Sequence, residues 1–212
     1  MLFNILSLVS NFLIFVLTAY SVVSFYIKGG DANMKVRKEK CFEYFTVDSN
    51  ILAAVASAVM IVFNIMSFSK GGFTAPGWAL VFKLVGSTAV GLTFIVVVTM
   101  LAPFAERGYF SLFEGTSFFM HFLTPVLAIL SFVLFESGTK IGYINILFAL
   151  IPTLIYAVVY FIMVLIVGEE KGGWNDFYGF NKGGKWYITA PVIIAMTALI
   201  SFVVILLHNA AS

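Results

Sequence analysis

The stretch CFEYFTVDSNILAAVASAVMIVFNIMSF, Cys41 to Phe68, decides the fold. Beyond Asn50 it is apolar with few breaks, yet polar side chains recur at Thr46, Ser49, Asn50, Ser57 and Asn64. A helix crossing the hydrocarbon core of a bilayer needs about 20 mostly apolar residues at roughly 1.5 Å of rise each. Phe42 to Phe68 supplies them. At roughly 100° per residue, Thr46, Asn50, Ser57 and Asn64 fall within about 40° of one another, with Ser49 flanking them. Polar groups left without partners in hydrocarbon are costly, so the stripe is expected to face the interior of a helix bundle. Asp48 points almost the opposite way, toward another helix, a headgroup or loop water.

Outward from this segment the pattern repeats. Of 212 residues, 61% are hydrophobic and 10% charged, and the mean hydropathy is +1.05. That composition excludes a soluble globular protein. Five further runs are long enough to span, at Leu2 to Tyr26, Trp78 to Phe104, Ser117 to Phe135, Ile141 to Val167 and Trp186 to His208. The first lacks a basic n-region and a clear cleavage site, and reads as a retained helix rather than a signal peptide. The expected fold is all-α, a polytopic membrane protein whose six transmembrane helices form a single bundle domain over residues 1–212.

Loop charge gives an orientation. Loops one, three and five carry Lys28, Lys35, Arg37, Lys38, Lys40, Arg107, Lys171, Lys182 and Lys185, whereas loops two and four carry Lys70 and Lys140. Cytoplasmic loops hold the excess of cations, so the odd loops are expected inside and both termini outside. The run KVRKEK at residues 35–40 reads first as a topology signal beside anionic headgroups, and secondarily as an attractor for an acyl carboxylate. A net charge of +2 gives no reason to expect a nucleic-acid partner. One cysteine excludes an internal disulfide and a cysteine-rich metal cluster, and no metal or cofactor is expected. His121 and His208 lie at opposite membrane faces, about 30 Å apart, and cannot serve one substrate atom.

His121 enters the fourth span in TSFFMHFLTPVLAIL, from the same side as Thr46. Counting rise, both sit about one turn inside the membrane and are expected to be neighbours. Pro125 has no N–H to offer the carbonyl of His121, which predicts an irregular helix there, lined by Ser117 and Thr124. Irregular backbone at depth belongs beside a protein-enclosed or hydrated cavity, and an intramembrane histidine is a functional candidate. Ser57 and Asn64 read instead as interhelical glue.

FEYFTVDSN opening a second span, HFLTP opening a fourth and WNDFYGFN before a sixth resemble a six-span family. It includes the androgen-induced and androgen-dependent TFPI-regulating proteins, and the chain is more similar to its bacterial members. The animal members hydrolyse fatty acid esters of hydroxy fatty acids with an intramembrane threonine nucleophile and a histidine partner. The resemblance implies those roles for Thr46 and His121, a lipid or fatty-acyl ester substrate met among membrane lipids, and a bacterial cytoplasmic membrane.

The chemistry is coherent. A threonine hydroxyl is a weak nucleophile, and a neutral imidazole within hydrogen-bond reach can take its proton as it attacks an ester carbonyl. Ser49 and Asn50 are the nearest candidates for oxyanion donors. Asp176 and Asn181 of loop five are candidates for orienting the histidine should that loop fold back over the bundle. Its Trp174 and Tyr178, with Trp186 and Tyr187, also fit an aromatic interfacial belt. Cys41 falls about 140° round the helix from Thr46 and reads as incidental. In the third span Gly86, Ser87, Gly91 and Thr93 read as close-packing positions. Tyr156 and Tyr160, one turn beyond Pro152, fit an acyl cavity, a core or a lipid face equally. Two other functions fit the chain: a noncatalytic lipid-binding membrane protein and a small-molecule transporter. Transport lacks its usual signs, an internal repeat and a ladder of intramembrane charges.

Overall fold

A computed structural model describes residues 1–28, 38–68 and 75–212. Lys35, Arg37 and Lys70, among the cations that set the expected orientation, lie outside the described residues. Six helices are long and apolar enough to cross a bilayer: α1 Leu2–Lys28, α2 Phe45–Phe68, α3 Gly77–Phe104, α4 Gly115–Phe135, α5 Tyr143–Val167 and α6 Trp186–Ala211. Among the described residues there is no strand. The chain is an all-α bundle of the kind that forms an integral membrane protein, and each helix end falls within a turn of its expected place. At α2 the difference has a cause, because Lys38–Glu43 winds as a tighter 3₁₀ turn before the α-helix begins.

Helix α3 is the axle, packing against α2, α4, α5 and α6. In its most apolar window 61% of residues are buried, against 11% in α5. Small residues make this centrality possible. A Cβ on Gly86 would lie 3.0 Å from the Ala53 Cα and 3.3 Å from the Ala56 Cβ, so the α2 and α3 backbones nearly touch. Ser87 Oγ donates to the Ala128 carbonyl of α4 at 3.2 Å, close-packing where the sequence suggested it. Helix α1 completes the bundle against α2 and α4.

The polar stripe of α2 does face inward, with Thr46, Ser49, Asn50, Ser57 and Asn64 all buried. Its distal half joins a network spanning four helices. Lys83 Nζ of α3 donates to Asn11 Oδ1 at 2.6 Å and to Ser57 Oγ at 2.9 Å. Asn11 Nδ2 and Ser7 Oγ of α1 donate to Glu136 Oε1, just beyond α4, at 2.7 and 3.0 Å. Asn64 Nδ2 donates to Asn4 Oδ1 at 2.9 Å, and Asn4 Nδ2 returns a bond to the Asn64 carbonyl at 3.0 Å. Asn11 thus stands between an ammonium and a carboxylate that are both fully buried. Lys83 falls inside the third span of the sequence, where spacing alone names no partner for it. His208 closes the same end, its ring nitrogens 2.9 Å from the Phe132 and Thr139 carbonyls.

Candidate active site

Thr46 lies in the first turn of α2, where the chain leaves its 3₁₀ turn and enters the bundle. Its side chain is buried yet lines an open pocket between α2, α3, α5 and α6, whose 750 Å³ or so of unfilled space includes the opening. The remaining walls are mostly apolar: Leu92, Val96 and Val97 of α3, Ala157 of α5 and Ile193 of α6. Tyr156, Tyr160, Tyr178 and Phe180 form the aromatic part of the wall. Of the three placements open to Tyr156 and Tyr160, the structure realises the cavity.

Loop five folds back over the bundle. Its reversal uses Gly173, where a Cβ would collide with the carbonyl oxygens of Met163 and Gly168. The Gly173 and Trp174 amides instead donate to the Gly168 and Met163 carbonyls at 2.9 and 3.1 Å. Phe177 then packs on Tyr44 with ring centroids 4.4 Å apart, and Tyr178 reaches the cavity beside Thr46. Trp186 and Tyr187 remain exposed and fit the interfacial belt.

Asp176 organises this loop. Its Oδ1 accepts from the Tyr160 hydroxyl at 3.1 Å and the Phe180 amide at 2.7 Å, and its Oδ2 from the Asn181 amide at 2.8 Å. These bonds, rather than one to His121, take up the carboxylate, so its expected orienting role passes to another group. That group is the Leu112 carbonyl, 2.7 Å from His121 Nδ1. A carbonyl only accepts, so Nδ1 carries a proton in this contact. Asn181 is placed by its backbone bond to Asp176, and its Oδ1 is buried without a partner.

His121 sits in a π turn, Phe119–Leu123, immediately before the segment bearing Pro125. The helix is irregular where the proline predicted. It is buried at the same end of the bundle as Thr46, and Asn50 links the two neighbourhoods. Asn50 Nδ2 donates to the Thr46 carbonyl at 2.7 Å and to the Met120 carbonyl, one residue before His121, at 3.1 Å. Among the described residues Thr46 and His121 share no direct hydrogen bond, and His121 does not line the cavity.

The expected oxyanion donors are committed elsewhere. Both amide hydrogens of Asn50 go to main-chain carbonyls, while Ser49 Oγ bonds the Thr46 carbonyl at 3.1 Å and Thr93 Oγ1 at 2.8 Å. Neither residue lines the cavity. They hold the start of α2 in place.

What faces Thr46 instead is Tyr178. Burial raises its phenol to about 12, and hydrogen-bonding contacts from the Thr46 side chain, the Thr46 and Phe45 backbone and the Tyr156 hydroxyl oppose that rise. Tyr178 and Thr46 line the same cavity. Helical spacing says nothing about how a glycine-rich loop returns, so the sequence alone leaves Tyr178 in loop five with an interfacial belt open to it. Among the described residues no three His, Cys, Asp or Glu side chains converge to hold a metal ion.

No family model matches the chain, and no curated protein or solved structure is similar to it at a significant level.

Proposed function

We propose that the protein is an intramembrane hydrolase of lipid esters, with Thr46 as nucleophile and His121 as general base near the cytoplasmic end of the bundle. The observation that carries this reading is the buried Thr46 side chain in the wall of a largely apolar cavity, the kind of lining an acyl chain would meet. The motif resemblance around FEYFTVDSN and HFLTP supports it, as does the bond that holds His121 Nδ1 to the Leu112 carbonyl.

In this reading a lipid ester enters from the bilayer, its chain against α3, α5 and α6 and its carbonyl beside Thr46. As Thr46 Oγ1 bonds to the carbonyl carbon, its proton passes to His121 Nε2, and the carbonyl electron pair moves onto oxygen. Collapse of that intermediate breaks the bond to the leaving alcohol, which takes the proton from the imidazolium. Water, deprotonated by the same ring, then attacks the acyl-threonine, releases the carboxylic acid and regenerates Thr46. The gap between Thr46 and His121 has to close when substrate binds, as catalytic hydrogen bonds in empty sites commonly do.

Hydrolysis of p-nitrophenyl laurate by the purified protein in detergent tests the reading. Thr46→Ala and His121→Ala should each abolish turnover without lowering the melting temperature. Turnover by Thr46→Ala at the wild-type rate would exclude the nucleophile. A folded protein that binds lipid but hydrolyses no ester would support noncatalytic lipid binding instead.

A further inference from the structure

We propose that Tyr178 is the catalytic hydrogen-bond donor that stabilises the oxyanion formed when Thr46 attacks an ester carbonyl. The inference rests on the hydrolase reading above and names a residue which that reading lacks.

An acyl-transfer site needs a donor aimed at the oxygen that gains charge. Around Thr46 the other polar groups are spoken for. Asn50 and Ser49 bind the Thr46 carbonyl and do not line the cavity. Tyr156 donates its hydroxyl to the Glu43 carbonyl at 2.6 Å. Tyr160 donates to Asp176 and accepts from the Tyr178 amide at 3.1 Å. The threonine hydroxyls of the wall are engaged as well, Thr93 with Ser49, Thr153 with Thr197 and Thr189 with the Lys185 carbonyl, whereas Tyr178 brings its hydroxyl to the cavity that Thr46 lines.

That arrangement suits a donor. A phenol hydroxyl has one proton to donate to an oxygen that gains charge. A phenol held near 12 stays protonated at neutral pH, so it gives a hydrogen bond and does not compete with His121 as base. The position is also fixed from outside the site. Asp176 ties down the Phe180 and Asn181 amides, Tyr160 holds the Tyr178 amide, and Tyr44 packs edge-on against the ring with centroids 6.5 Å apart. In the reaction the electron pair displaced onto the carbonyl oxygen meets the Tyr178 O–H and returns to carbon as the leaving alcohol departs. The proton stays on Tyr178 throughout.

The test compares wild type, Tyr178→Phe and Thr46→Ala on p-nitrophenyl laurate and on the corresponding thionoester, whose sulfur is a poorer acceptor. Phenylalanine keeps the ring contacts and removes only the hydroxyl. The expected result is a roughly 100-fold loss of kcat, an unchanged KM and an unchanged melting temperature. The wild-type preference for the oxygen ester should shrink in Tyr178→Phe, a change that a merely structural tyrosine would not produce. If Tyr178→Phe retains wild-type kcat or the full oxygen-over-sulfur preference while Thr46→Ala is inactive, the donor role falls and the hydrolase reading stands. Wild-type turnover by Thr46→Ala would overturn both.

Discussion

Asn50 ties two helices together with one side-chain amide. By donating to the Thr46 and Met120 carbonyls it fixes the start of α2 against the turn of α4 that carries His121. Asn50→Leu is similar in size but removes both bonds. It should lower stability by about 1–3 kcal/mol, since it strands two buried acceptors, and should reduce hydrolysis more than Ser57→Ala does. Thermal melting and turnover on the same preparations check this, and an Asn50→Leu protein with wild-type values for both would contradict it. The sequence made the inward stripe legible because angular position follows from spacing alone. It did not reveal which acceptor each polar group would choose. That depends on where neighbouring carbonyls fall, and so Ser49 and Asn50 read as oxyanion donors while the structure turns them to the main chain.

Helices and loops differ in how far their placement could be read. The span limits were legible because hydrophobic length and bilayer thickness constrain each other. The return of loop five was not, because it depends on Gly173 and on three bonds to Asp176 that no periodicity announces. Asp176→Ala leaves those donors without their acceptor. The loop should loosen, giving faster proteolytic cleavage between α5 and α6 and weaker hydrolysis; unchanged cleavage would show that the carboxylate does not hold the loop. The Lys83–Asn11–Glu136 network offers a sharper test of helix association. Removing one charge strands the other, at a cost of about 3–5 kcal/mol, whereas Lys83→Met with Glu136→Gln removes both. The double variant should therefore melt closer to wild type than either single variant does. Additive losses would mean that the two charges act independently.

At the scale of the molecule the bundle has two polar ends with different characters. Around Lys83 and Glu136 the groups are buried and bonded to one another across α1, α2, α3 and the end of α4, as interhelical glue is. Around Thr46 a hydroxyl meets unfilled space beneath an aromatic loop. That contrast puts the proposed chemistry at the end bearing the odd loops, and the proposal that this end is cytoplasmic rests on the loop charges alone. Lys140→Cys and Lys182→Cys, each made with Cys41→Ser, test the orientation. In intact bacterial cells whose envelope admits the reagent, an impermeant maleimide should label the Lys140→Cys protein and spare the Lys182→Cys protein; the reverse pattern would invert the topology. Intact-protein mass spectrometry after exposure to a long-chain alkyl fluorophosphonate reads the nucleophile most directly. A single adduct is expected on the wild type, mapped to Thr46, absent in Thr46→Ala and strongly slowed in His121→Ala. An adduct that persists in Thr46→Ala, or a folded wild type that hydrolyses esters yet takes no label at Thr46, would contradict that assignment.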